Sequence, residues 1–359
     1  MAIKSIGIDI REATEKGAGK GRYALELTRA LIAAAPDLHF CLYTKNPNPL
    51  FPSTERVHQV VIAGHGPLWH LNLRRHIRHE PVDLFIAPTS YIYPAIAPRR
   101  QKTAVVIHDL IAFLHSKNHP WFPTMVERLT LPRALKKAGL LLCVSRHTQS
   151  DLERLFPEAK SKITLILPPA VSEEIHSVDT QKMDLPAQFL LGVGTLLPRK
   201  NFSLLIEAFK RIHTRHPDLE LCIAGGKAAH TGALYEPLSP ELHKKIHFLG
   251  YVSTAELCEL YSRARMLVFP STYEGFGIPP LEAMACGCPV IVSNASSLPE
   301  VVEDAALKVG PHHPQELAEA IEMLLQPRTA KLYREKGLQR VKAFSWKSSA
   351  EKLLHHLLN

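Results

Sequence analysis

The sequence predicts an α/β protein made of two Rossmann-like halves facing each other across a cleft. Three observations predict it. Short apolar runs alternate with amphipathic stretches along the whole chain, the pattern of parallel sheets covered by helices on both faces. At 359 residues the chain is long for a single core. A segment without sustained period, 168–187, opens on Pro168-Pro169 and interrupts the alternation, which then restarts.

In the first half the strands fall at 3–9, 38–43, 57–62, 83–87, 103–107, 139–144 and 162–167, with helices at about 20–34, 67–78, 124–137 and 147–155. The second half starts with a strand at 189–194 and a helix at 202–213. Further strands follow at 219–224, 246–249, 266–269, 290–293 and 306–309. The expected division is a first domain at 1–167, a hinge at 168–187, a second domain at 188–340 and a tail at 341–359. The tail's helix, 345–358, is amphipathic through Trp346, Leu353, Leu354 and Leu357 and is expected to pack back on the first domain.

Composition narrows the class. With 46% hydrophobic and 21% charged residues the chain reads as globular. No apolar run approaches the roughly 20 residues of a membrane-spanning helix. The first ten residues read as a strand rather than a signal peptide, so a cytoplasmic location is expected. The six cysteines lie in apolar patterns without a Cys-x-x-Cys pair, which points to buried reduced thiols rather than disulfides or zinc. A net charge of +9 calls for an acidic partner: nucleic acid, an anionic membrane surface or a phosphorylated substrate. No zinc-finger, helix-turn-helix or RNP pattern accompanies the charge, so nucleic acid ranks last. The helix at 67–78 sets Leu68, Leu71 and Ile77, with Trp69 nearby, against a basic face, a candidate for peripheral contact with a membrane.

Candidate site residues sit at strand ends, where parallel sheets place ligands. Gly17-Ala18-Gly19-Lys20-Gly21 follows the first strand. A dinucleotide fingerprint fails there because the second strand ends at Tyr43-Thr44-Lys45 without the acidic residue, and a Walker loop fails because Gly21 replaces Ser or Thr. Gly19 and Gly21 then either let a ligand approach the backbone or simply make a tight turn. His108 and Asp109 end the run 103–107. His108 can exchange a hydrogen bond with a sugar hydroxyl, and Asp109 can fix its tautomer or cap the next element. The loop 118–123, with Trp121 and Phe122, can line an acceptor site or close the cleft. In the second half Arg199 and Lys200 can neutralise a diphosphate, with Asn201 as helix N-cap.

The chain is organised around 266–290, read as a strand, a glycine-loosened loop and a helix entered at Pro279-Pro280. Glu274 precedes the glycines, Glu282 is placed in the first helical turn, and the amides of Gly275, Phe276 and Gly277 can approach an anion. A sugar phosphate suits such a loop.

The run Glu274-Gly275-Phe276-Gly277 through Leu281-Glu282-Ala283-Met284 to Pro289-Val290 resembles the Glu-x7-Glu signature of retaining glycosyltransferases of family 4. Gly-Lys-Gly-Arg-Tyr at 19–23, Val-Ile-His-Asp-Leu at 106–110, Val-Ser-Arg-His-Thr at 144–148, Gly-Thr-Leu-Leu-Pro-Arg-Lys-Asn at 194–201 and Leu-Gly-Tyr-Val at 249–252 extend the likeness. The resemblance implies the two-domain GT-B fold and transfer of a sugar from a nucleotide donor with retention. By the same resemblance Arg199 and Lys200 hold the diphosphate, Glu282 the ribose, and Glu274 with residues 275–277 the donor sugar. His108 stands beside the reacting sugar, Gly19 and Gly21 beside the diphosphate, and Tyr251 and Val252 beside the base. His108 and Glu274 are the catalytic candidates.

No metal or other cofactor is expected, because no Asp-x-Asp group is present and fixed cations can take the leaving charge. The look is that of bacterial mannosyltransferases of surface polysaccharide, so GDP-mannose is the first donor and UDP-glucose or a UDP-N-acetylhexosamine the second. The expected acceptor is a glycan or lipid-linked glycan. A sugar-nucleotide epimerase on the same fold and a non-catalytic anion-binding module are the alternatives.

Overall fold

A computed structural model describes residues 3–14, 19–115, 121–178, 182–226 and 238–358. Gly17, Ala18 and positions 118–120 of the candidate loops lie outside them. The chain forms two compact units: residues 1–169 with 345–359, and residues 170–344.

The first unit runs β1 (Ser5–Asp9), α1 (Lys20–Ala34), β2 (His39–Thr44), β3 (Val57–Val61), α2 (Gly66–His79), β4 (Leu84–Ala87), α3 (Ile92–Ile96), β5 (Lys102–Ile107), α4 (Ile111–Leu114), α5 (Trp121–Lys137), β6 (Leu140–Cys143), α6 (Arg146–Leu155) and β7 (Ile163–Ile166). Its sheet has the order β3-β2-β1-β4-β5-β6-β7. The described pairs are parallel. Helices cover both faces, which is why β4 and β6 are buried at every position instead of alternating.

The helix expected at 67–78 turns a different face inward. Trp69, His70, Leu73 and Ile77 of α2 are buried, while Leu68 and Leu71 are exposed. Trp69 dominates the choice, because its large side chain fills the space beside Tyr43 and Phe85 in one core cluster.

The second unit runs β8 (Phe189–Val193), α7 (Phe202–Ile212), β9 (Glu220–Ala224), α8 (Pro240–Lys245), β10 (Ile246–Gly250), α9 (Thr254–Arg263), β11 (Met266–Phe269), α10 (Ile278–Ala285), β12 (Val290–Ser293), α11 (Leu298–Val302), β13 (Leu307–Val309), α12 (Pro314–Leu325) and α13 (Pro327–Val341). Its parallel sheet has the order β10-β9-β8-β11-β12-β13. The strand order reverses between β8 and β11, which opens a place for ligand at their carboxyl ends. Helices α9, α12 and α13 go beyond the elements expected from hydrophobic pattern, yet each carries a start signal. A Ser253/Glu256 capping box opens α9, and prolines open α12 and α13.

The last helix, α14 (Trp346–Leu358), belongs to the first unit. The Trp346 ring stands edge-on to Tyr23 of α1 at 5.1 Å between centroids. Ser349 Oγ donates to the Pro168 carbonyl at 3.1 Å, and Ala350 and Leu353 are buried.

Candidate active site

In the second unit, the loops after β8 and β11 are stitched together. The Thr272 amide donates to the Arg199 carbonyl at 2.7 Å, and Arg199 Nη1 donates back to the Tyr273 carbonyl at 3.2 Å. Asn201 corrects its expected role. It occupies the N-cap position of α7 at φ 57°, but its side chain makes no cap bond. Its Nδ2 instead donates to the carbonyls of Pro270 at 3.2 Å and Pro311 at 2.8 Å, tying three loops together.

This stitching brings Arg199, Lys200 and Glu274 into contact. Glu274 Oε1 accepts from Arg199 Nη1 at 3.0 Å, from Lys200 Nζ at 2.6 Å and from Ser271 Oγ. Burial alone would raise the Glu274 pKa, but Lys200, Arg199 and the Ser271 hydroxyl outweigh it and hold the carboxyl below its ordinary range. Burial, with Arg199 adding to it, pulls the Lys200 ammonium down against the support of Glu274. The Lys200 stem crosses Gly194, where an added Cβ would come to 3.2 Å from Cε, and Nζ lies 4.7 Å from the Phe269 ring centroid. The site is therefore a charged cluster walled by apolar groups.

The 274–277 loop is held from the β12–α11 connection. The Glu274 amide donates to Ser296 Oγ at 2.9 Å, and Ser297 Oγ bonds the carbonyls of Glu274 and Phe276 at 3.0 and 2.8 Å. Gly277 is required at the start of α10. It has φ +98°, and a Cβ there would meet Leu298 Cδ2 at 2.6 Å.

Glu282 also departs from its expected place. Helix α10 starts at Ile278 and has no acidic residue in its first turn, so Glu282 lies in the second. Its Oε2 accepts from the Tyr261 hydroxyl of α9 at 3.0 Å. Tyr261→Phe is expected to cost about 1 kcal/mol, read as a lower urea midpoint with an unchanged slope.

Tyr251 and Val252 follow β10 at the same end of the sheet, and Tyr251 is exposed. A backbone relay connects their strand to the β8 loop: the Gly225 amide donates to the Gly250 carbonyl at 2.7 Å, and the Gly194 amide to the Ala224 carbonyl at 2.8 Å. Gly225, Ser271, Tyr261 and Ser297 were not singled out from the sequence. Gly225 carries a signal as part of a Gly-Gly pair directly after a strand, and Ser297 lies in the run Ser-Ser-Leu-Pro-Glu-Val at 296–301, which also resembles the family.

In the first unit, the carboxyl ends of β4 and β5 and the start of α1 form a second cluster. His108 is buried, with its ring 4.9 Å from that of Tyr23. Burial, reinforced by Lys20, holds its pKa well below the ordinary imidazole range. The ring is thus neutral, and since Nε2 lies 2.6 Å from the Pro88 carbonyl, Nε2 carries the hydrogen and donates. Nδ1 is left as an acceptor, so the two-way exchange expected from sequence narrows to receiving a hydrogen bond. Pro88, not Asp109, sets this tautomer. Asp109 accepts from the Ile111 amide at 3.1 Å and lies 3.6 Å from Lys20 Nζ.

Gly19 precedes α1 with φ +64° and open space where a Cβ would be. Gly21 is fixed by packing, since its Cβ would lie 2.5 Å from the Glu12 carbonyl oxygen. The two glycines therefore have different reasons to be there.

Among the described residues, no group of three or more His, Cys, Asp or Glu side chains is arranged to hold a metal ion. The six cysteines are free, with Cys41 half-buried and the others buried. No described helix is long and apolar enough to cross a membrane.

Two parallel Rossmann-like sheets with loops at the switch point define the GT-B architecture, and solved structures of that fold superpose on the chain. Sucrose-phosphate synthase from Thermosynechococcus elongatus superposes with a TM-score of 0.77 at 21% identity, covering 98% of both chains. Anabaena Alr3699/HepE, solved with UDP and glucose, gives 0.73 at 19% identity over 99% of both chains. The chain belongs to the family 4 and group 1 glycosyltransferases: Glycosyltransferase Family 4 matches residues 17–173 and Glycosyl transferases group 1 matches residues 178–339. O-antigen chain mannosyltransferase B of Escherichia coli is 30% identical over 357 residues, 92% of this chain and 93% of the relative. O-antigen chain mannosyltransferase RfbU of Salmonella typhimurium is 30% identical over 230 residues, 64% of this chain and 62% of the relative.

Proposed function

We propose that this glycosyltransferase moves mannose from GDP-mannose, with retention and without a metal, onto the glycan of a lipid-linked surface-polysaccharide acceptor. The observation that carries the reading is the 30% identity to O-antigen chain mannosyltransferase B across nearly the full length of both proteins.

The residues support it chemically. Arg199 and Lys200 take the diphosphate charge that develops as the sugar leaves, in a site where fixed cations need little reorganisation. Glu274 and the loop 275–277 hold the mannosyl hydroxyls, while Glu282 takes the ribose and Tyr251 and Val252 the base. Gly19 and Gly21, at the start of α1, offer amides to the phosphates. His108, through Nδ1, accepts from a sugar hydroxyl. The +9 charge favours the approach of an anionic donor or of an acceptor in an anionic membrane.

Thermal shift against GDP, UDP, ADP, GDP-mannose and UDP-glucose tests the donor. A ligand at about 100 times its dissociation constant stabilises the fold by roughly 2.7 kcal/mol. Shifts with the GDP compounds alone, reduced in Glu282→Ala, are the expected result. A preference for UDP compounds would replace the donor and overturn the mannosyl assignment. The anomeric configuration of the product, followed by NMR, decides retention.

A further inference from the structure

One carboxyl in the first unit is not accounted for by its surroundings. Helix α5 buries Thr124, Leu131, Ala134 and Leu135, and leaves Trp121, Phe122, Met125 and Leu129 exposed. Glu127 lies between these faces, half-buried, with Oε1 closed off from solvent and without a hydrogen-bond partner among the described residues. Burial pushes its pKa up to about 7, with Asp109 adding to the rise and Lys20 opposing it. Burial, with the charges of Glu127 and Asp109 adding to it, holds the phenol of Tyr91, which precedes α3, well above its ordinary range.

Glu127 thus lies within electrostatic reach of groups on separate elements: Lys20 at the start of α1, Tyr91 after β4 and Asp109 after β5. That is the carboxyl end of a parallel sheet, where ligands bind. A closed-off carboxyl oxygen with no donor costs stability, and the natural relief is a donor supplied by a ligand. Arg128, the adjacent cation on the same helix, points elsewhere: neighbours in a helix do not face each other, and its Nε donates to the Ala112 carbonyl at 2.8 Å.

We propose that Glu127 binds the acceptor sugar, its half-buried side chain turning so that the carboxylate accepts a hydrogen bond from one of the sugar's hydroxyls. The inference rests on the transferase reading above and assigns a residue to its acceptor. Binding in this way favours the carboxylate form. Around neutral pH His108 stays neutral and Tyr91 stays protonated, while Lys20 and Asp109 face Glu127 as charges.

The test uses Glu127→Ala and Glu127→Gln in the full chain, with GDP-mannose as donor and octyl α-mannopyranoside as acceptor probe. Glu127→Ala is expected to raise the acceptor KM about tenfold or more, with donor hydrolysis and the GDP thermal shift unchanged. The acceptor KM of the wild type falls as pH rises through about 7, and Glu127→Gln flattens that dependence. Removing an unpartnered buried oxygen also raises Tm by about 2–4 °C in Glu127→Ala, whereas a carboxyl kept for structure would lower it. An unchanged acceptor KM, or a lower Tm, overturns the proposal. Failure of the transferase reading would show separately, as no consumption of any nucleotide sugar by the wild type.

Discussion

Glu274→Ala is expected to lower sugar transfer by roughly 10²–10³-fold or more and to destabilise the fold by about 3–5 kcal/mol at neutral pH. The reason is geometric. One carboxylate oxygen receives Arg199, Lys200 and Ser271 together, so its removal leaves a nearly buried ammonium beside a guanidinium with no counter-charge. Lys200 answers by losing its proton more readily, since burial already depresses its pKa and Glu274 is what supports it. In the unfolded chain Lys200 keeps its ordinary value of 10.5, so the unfolded state binds more protons below that pH. The variant's stability deficit therefore shrinks as pH rises from 7 toward 10.5, a trend that urea unfolding at several pH values would read directly. A second signature follows from the freed cations. GDP should stabilise Glu274→Ala at least as strongly as wild type, while transfer stays lost. A variant with normal turnover would remove Glu274 from the chemistry.

Gly225→Ala is expected to disrupt the fold as well. An added Cβ would stand 2.0 Å from the Gly194 carbonyl oxygen, and a backbone oxygen cannot swing aside as a side-chain tip can. The clash falls on the relay that runs from the Gly250 carbonyl to the Gly225 amide and from the Ala224 carbonyl to the Gly194 amide. Pushing Gly194 outward moves the loop that carries Arg199 and Lys200. Large core overpacking costs about 1–3 kcal/mol or more, and a displacement of about 1 Å in a positioned group can cost 10²-fold in rate. Loss of both Tm and the GDP shift is the expected result. Gly19→Ala is the useful contrast, since its Cβ meets nothing and only the φ of +64° opposes it. If Gly225→Ala folds with wild-type Tm, the close approach of the two loops is not a constraint in solution.

The parallel α/β class was legible because β4, β6, β8, β11 and β12 are short, nearly continuous apolar runs, and only sheets covered on both faces need such strands. Helices α12 and α13 lie outside the expected elements although Pro314 and Pro327 mark their starts. Helix α2 shows the opposite error. Its period is legible, but the expected apolar side, with Leu68 and Leu71, is not the one that packing around Trp69 buries. Sequence spacing says that a stripe exists; the shape of the space beneath decides which stripe is used.

The sequence by itself determined the local chemistry: two carboxylates eight positions apart, glycines between them, a basic pair after a strand, and a histidine at a strand end. Each of these depends on neighbours within a few residues, which is the range over which sequence order reports position. Tertiary structure alone decided how they are used. It converged Arg199 and Lys200 on one oxygen of Glu274 across 75 and 74 positions of chain, and gave Glu282 to Tyr261 across 21. It also aimed His108 Nε2 at Pro88 across 20 positions, leaving Nδ1 as the acceptor. Such pairings are set by strand order and burial, and burial is what turns an ordinary lysine, histidine or glutamate into a group with a shifted proton and one available partner.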